Sequence, residues 1–160
     1  MIQICYDQSR LQFAIWAVIA APLIMTNDLE TVRPEIKALL QNRDIIAINQ
    51  DRLGNPGKCI LTKHNFQIWA RPVEPINDMG IESFAIAFVN HGEFPQCPLC
   101  PQTYNVFLNE MNLVNPMGYT VVDLFNVSND LGLYKPRDTF STRINPKGVN
   151  FYKFTVVNIY

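Results

Sequence analysis

Glycine is missing from the first 53 residues of this chain. All seven glycines fall between Gly54 and Gly148, and nine of the eleven prolines lie beyond Gly54 as well. Helices disfavour both residue types, whereas turns between strands use them. The asymmetry splits the chain into a first third that reads as helical and a remainder that reads as strands and turns. A length of 160 residues allows one full domain, or one small domain plus part of another, and is enough to bury a sizeable core. Hydrophobic residues at 48% and charged residues at 17% exclude a disordered tail or a fibrous repeat. A net charge of −1, with the basic residues scattered, argues against nucleic acid or an anionic membrane as the main partner.

Residues 11–25 are almost wholly apolar and follow Arg10, as a signal-peptide core or a membrane anchor would. The run is short of the roughly 20 residues that a span needs, and Pro22 interrupts it. Asp7 and Gln12 make a poor leader region. The expectation is a buried helix followed by a buried strand, with no targeting signal and no membrane span in the chain. The helix covers 8–21, with Leu11, Ile15 and Ile19 on one stripe and Ala14 and Val18 beside it. Residues 22–26 make the strand, bounded by Pro22 and by Asn27-Asp28. Pro34 opens a second helix, which buries Ile36, Leu39 and Leu40 and stops near Asn42. Asp44 then caps a short helix carrying Ile45, Ile46 and Ile48. Helix, strand and helix in that order read as part of a parallel α/β sheet or barrel. One strand is not a sheet, so this piece calls for partners that the chain does not contain.

Beyond Gly54 the strand expectations are 65–71, 83–89, 103–109, 119–126, 138–144 and 150–157. Turn signals separate them, such as His91-Gly92, Asn115-Pro116-Met117-Gly118 and Asn145-Pro146-Lys147-Gly148. Short strands punctuated in this way indicate an antiparallel sandwich. Both faces of 83–89 are apolar, which places that strand at the centre of a sheet.

The segments Tyr6-Asp7-Gln8-Ser9-Arg10-Leu11-Gln12-Phe13-Ala14-Ile15-Trp16 and Ala20-Ala21-Pro22-Leu23-Ile24-Met25-Thr26-Asn27-Asp28-Leu29 carry a family resemblance. Arg33 to Asn42 and Ile46-Ala47-Ile48-Asn49-Gln50-Asp51 continue it in the same order. Together they resemble the last part of the catalytic barrel of the α-galactosidases and α-N-acetylgalactosaminidases, glycoside hydrolase family 27. Ile144-Asn145-Pro146-Lys147-Gly148-Val149 resembles the closing turn of that family's C-terminal β-domain. The likeness is dense over 6–57 and sparse but collinear over 58–157. Arg52 stands where the family usually has proline after Asn-Gln-Asp, and Cys5, Cys59 and the stretch 91–101 are individual to this chain.

The resemblance implies the trailing end of a (β/α)₈ barrel over residues 1–55 and an antiparallel β-sandwich over 56–160. It implies a retaining glycosidase that releases terminal α-galactosyl or α-N-acetylgalactosaminyl groups, with no cofactor and with an α-galactoside-type glycan as substrate. Such an enzyme needs a nucleophilic and an acid/base carboxyl roughly 5–5.5 Å apart. In the family both aspartates precede the Asp7-Gln8 segment, so no catalytic or substrate-binding residue is assigned within the chain, and the chain alone is expected to be inactive. The resemblance also implies a lysosomal or secreted protein. Homodimers are common in the family, and nothing in these residues fixes that state.

Within the chain, Asp28 follows the expected last barrel strand, at the end where such barrels place their sites. Asn27 and Asp28 are therefore structural candidates near the site, and the plain alternative is that they close the strand. Asp7 and Asp44 read as caps and Asp51 as a turn residue. Cys97 and Cys100 admit a loop disulfide, free thiols, a zinc site with only His91 nearby, or a redox pair. The family's closely spaced cysteine pairs favour the disulfide. Cys5 and Cys59 are left open. His64 and His91 read as loop residues, and Asn126-Val127-Ser128 is the single N-glycosylation sequon. Trp69, Arg71 and Tyr104 read either as a sugar-stacking platform or, more simply, as packing between the two parts. Two other function classes stay open: a non-catalytic carbohydrate-binding or interaction module on the sandwich, and a redox or metal protein using Cys97 and Cys100. With no sheet to cover it, the apolar stretch before residue 55 is expected to leave the isolated chain prone to association or local disorder.

Overall fold

A computed structural model describes residues 5–25, 28, 30–92 and 100–158, with the backbone alone at Val127. Among the described residues, three helices come first: α1 (Tyr6–Val18), α2 (Pro34–Leu40) and α3 (Arg43–Asn49). Eight strands follow: β1 (Lys58–Lys63), β2 (Phe66–Ile76), β3 (Glu82–Asn90), β4 (Gln102–Phe107), β5 (Tyr119–Asp123), β6 (Asn126–Tyr134), β7 (Thr139–Ile144) and β8 (Gly148–Val156). A 3₁₀ turn, Leu108–Met111, interrupts the strand series after β4.

Six strands form one antiparallel sheet in the order β1-β2-β3-β8-β5-β6, and β4 pairs with β7 in a separate ribbon. The six-stranded sheet is the middle layer. Because successive side chains point to opposite faces, each central strand serves two cores. On β3, Ala85, Ala87 and Val89 pack with the helices, and Ile86 and Phe88 pack with the ribbon. On β8, Val149 and Phe151 join the helices, while Tyr152, Phe154 and Val156 join the ribbon. The expected central position of 83–89 follows from this double burial. On the helix side, Phe13, Ala14, Ala17 and Val18 of α1 are buried, with Leu39, Ile45 and Ile48. Alanines on both surfaces, at 14, 17, 85 and 87, leave room for the helix to lie close to the sheet.

Four local expectations differ from the structure. Of the expected strand 22–26, residues 22–25 form no strand and Thr26 lies outside the described residues; Ile24 and Met25 are 75% and 48% exposed. A strand needs a neighbour to take its backbone bonds, and among the described residues no strand lies beside this segment. Strands β1 and β6 escape the sequence pattern. Both are outer strands of the sheet, and β6 (NVSNDLGLY) is rich in residue types that strands disfavour. Asn42, rather than Asp44, caps α3: its side chain accepts from the N–H groups of Asp44 and Ile45, both at 3.0 Å. Asp7 sits in the first turn of α1, with Cys5 at the cap position.

The apolar stretch before residue 55 is not wholly uncovered. The outer face of the sheet buries the inner side of α1. Among the described residues, Tyr6, Ile19, Ile24 and Met25 stay exposed, and Leu11, Ile15 and Trp16 are half-buried.

Candidate functional site

The segment that carries Asp28 leaves α1 through a buried polar knot. Arg71, on the helix side of β2, is fully buried. Its Nη1 donates to the carbonyl of Ala17 at 2.8 Å and to that of Asn49 at 3.1 Å. Those carbonyls belong to the C-terminal turns of α1 and α3, where backbone acceptors lack intrahelical partners and the helix dipole favours a cation. Burial pushes the Arg71 guanidinium below its usual value, and the nearby Asp51 carboxylate opposes that shift. Nε and Nη2 of Arg71 find no hydrogen-bond partner among the described residues.

Asn49 extends the knot. Its Nδ2 donates to the carbonyls of Trp16 (3.2 Å) and Ala21 (2.8 Å), which fixes the chain as it leaves α1. Asp51 accepts from the N–H of Leu53 (3.1 Å) and from that of Glu74 (3.0 Å), tying the end of α3 to β2. Asn49-Gln50-Asp51 thus aims the segment beginning at Ala21. Gly57 docks the linker on the same helix end, its N–H donating to the carbonyl of Val18 at 2.8 Å.

Asp28 is exposed, and Asn27 lies outside the described residues. One carboxylate oxygen of Asp28 accepts from the N–H of Glu30 and the other from the Thr31 hydroxyl, both at 3.0 Å. The Glu30 N–H, then the Thr31 hydroxyl, hold its pKa below the ordinary carboxylate value. Such a group stays ionised in mildly acidic solution and makes a poor proton donor. Its ionised form favours the turn above the ordinary carboxylate range, and that contribution is lost as pH falls through the lowered value. Thr31→Ala is expected to move the Asp28 titration upward in a carbon-detected NMR experiment.

Asp7 makes a structural bond. Asp7 accepts from Asn145 Nδ2 at 3.1 Å, which fastens α1 to the turn between β7 and β8, and Arg10 lies 4.0 Å away. Asp44 lines a shallow cleft with Asp51, Glu74 and Lys153.

Trp69, Arg71 and Tyr104 do not form a sugar platform. Trp69 and Arg71 belong to the helix side of the sheet, and Tyr104 stacks on Phe66 on the ribbon side, with ring centroids 3.9 Å apart. Alternation along β2 sends Phe66 to the ribbon face and Trp69 and Arg71 to the helix face, and Tyr104 on β4 stacks on the former. Trp69 instead lines a mainly apolar cleft of about 410 Å³ with Leu11, Ile15 and Trp16. There its indole N–H donates to Gln67 Oε1 at 3.0 Å, and His91 Nε2 contacts the same oxygen at 2.9 Å. His64 sits exposed in the β1–β2 turn with a φ of 54°. Cys5 and Cys59 are free thiols, and Cys97 lies outside the described residues.

Two family descriptions match the chain in succession: Alpha galactosidase A over residues 2–51 and Alpha galactosidase A C-terminal beta sandwich domain over 54–148. Human alpha-galactosidase A is 35% identical over 146 residues, covering 89% of this chain and 32% of that protein. Alpha-N-acetylgalactosaminidase of Gallus gallus is 35% identical over 145 residues, covering 90% of this chain and 33% of that protein. The crystal structure of alpha-galactosidase I from Mortierella vinacea has the same fold over 98% of this chain and 38% of its own, with a TM-score of 0.79 at 20% identity. The chain thus spans about a third of the length of the curated relatives it matches.

Proposed function

The chain belongs to the alpha galactosidase A family, and from that membership we propose that it is the C-terminal part of a retaining glycoside hydrolase. The enzyme removes terminal α-galactosyl or α-N-acetylgalactosaminyl groups from glycolipids, glycoproteins or oligosaccharides. The observation that carries this reading is the succession of the two matches, Alpha galactosidase A over residues 2–51 and then its C-terminal beta sandwich domain over 54–148.

On this reading residues 1–55 close the barrel and residues 56–160 form the accessory sandwich. The two catalytic aspartates come from barrel strands outside these 160 residues. One attacks the anomeric carbon, and the other gives its proton to the leaving oxygen and later takes one from water. Asp28 shapes the rim of the site, and its neighbour Asn27 lies outside the described residues. Support comes from the turn bonds of Asp28 and from the knot at Asn49 and Arg71, which set where that segment leaves the helix layer. The protein works in the lysosome or outside the cell, as a monomer or a homodimer. A Cys97–Cys100 bridge fits that compartment, supported by Cys100 being in the disulfide form while Cys5 and Cys59 are free.

The purified 160-residue chain is expected to release no p-nitrophenol from p-nitrophenyl α-galactoside or its N-acetylgalactosaminide counterpart. Turnover that copurifies with the chain would place the catalytic carboxyls within it and overturn the assignment.

A further inference from the structure

Asn126-Val127-Ser128 is the one N-glycosylation sequon in the sequence, and the site described above makes no use of it. We propose that Asn126 carries an N-linked glycan, attached where β6 bulges away from the sheet. The inference rests on the secretory compartment proposed above.

Among the described residues, strand β6 is outermost in the sheet and pairs with β5 alone. Val122 on β5 faces Asp130, and the next residue, Asp123, faces Asn126. One step along β5 therefore spans four along β6, and residues 127–129 leave the ladder. The sequon begins where backbone pairing lapses. Its backbone is free to take the turn that brings a serine hydroxyl to the asparagine carboxamide. The amide nitrogen attacks the anomeric carbon of an oligosaccharide carried on a lipid pyrophosphate: the C–N bond forms as the C–O bond to the pyrophosphate breaks, the lipid pyrophosphate leaves with the electron pair, and the amide gives up one proton to solvent. Asn126 and Ser128 are both exposed, and among the described residues the Asn126 carboxamide has no hydrogen-bond partner.

The residues just before the sequon are firmly held. Asn42 Nδ2 donates to the carbonyl of Leu124 at 2.9 Å, Asp123 accepts from the N–H of Phe125 at 2.9 Å, and the Arg10 guanidinium lies 3.9 Å above the Phe125 ring. The attachment point is thus a fixed corner of the molecule from which a glycan extends into solvent without displacing any packed group. A glycan there also covers the open edge of β6, which otherwise offers unpaired backbone groups to another strand.

The test is to secrete the 160-residue chain from insect cells behind a supplied leader and to measure its intact mass before and after treatment with an N-glycanase. The expected result is a glycan-sized loss on treatment, with position 126 read as aspartate in the peptide map. Asn126→Gln and Ser128→Ala each abolish the shift, and Ser128→Thr preserves it. A secreted chain of unmodified mass, or a shift that survives Asn126→Gln, overturns the proposal. Because the leader is supplied, that failure leaves the glycosidase reading to its own assay.

Discussion

Phe140→Ala is expected to destabilise the chain by about 3–5 kcal/mol, the range for removing a large buried aromatic. Phe140 lies on β7 and is 1% exposed. Its ring centroid is 5.4 Å from that of Phe88, 5.1 Å from Tyr152, 5.2 Å from Phe154 and 5.3 Å from Tyr134. Phe88, Tyr152 and Phe154 come from the two central strands of the six-stranded sheet, so one side chain fastens the ribbon to the middle layer. Truncation loses the transfer energy of the ring, its edge-to-face contacts and the packing around the void. Urea denaturation of the two proteins reads the effect as a lowered midpoint at unchanged slope. A change below about 1 kcal/mol would mean that the ribbon is not part of the cooperative core.

Arg71→Met is expected to cost about 2–3 kcal/mol, through the helix layer rather than the sandwich core. Methionine keeps much of the buried length but removes both bonds to the carbonyls of Ala17 and Asn49. Bonds to a charged donor are the stronger kind, and the stranded carbonyls would stay buried. The variant also relieves Nε and Nη2, which are buried without partners, so the net loss is smaller than the two bonds alone suggest. Hydrogen exchange should therefore speed up at the C-terminal turns of α1 and α3 more than in β3 or β8. Uniform acceleration across β3 and β8 would show instead that Arg71 supports the whole fold.

How legible each element was depends on how local its cause is. Strand β3 could be read because both its faces are apolar, which only a covered central position allows. Helix α2 announced itself through Pro34 at its first position. The outer strands β1 and β6 mix exposed polar residues with few buried ones and carry no comparable signal. Residues 22–25 have the composition of a buried strand, but composition cannot supply a neighbour, and the segment stays exposed here. Arg71 was legible in role but not in depth. The sequence offers it as packing between the two parts, and its contacts with α1 and α3 agree, but its full burial has no local signal, since arginine is seldom fully buried. Only the meeting of two helix ends above β2 gives its guanidinium acceptors inside the molecule. Asn49-Gln50-Asp51 was visible as a motif, yet its role in fixing Ala21 and Glu74 depends on contacts 28 and 23 residues away along the chain.

The most direct test of the account is a chimera. The part of human alpha-galactosidase A that matches this chain is replaced by residues 1–160, and the human sequence ahead of it is kept. The folded chimera is expected to hydrolyse p-nitrophenyl α-galactoside, because the two matched segments are supplied in the family's own order. A chimera that is folded and monodisperse but hydrolyses nothing would contradict it.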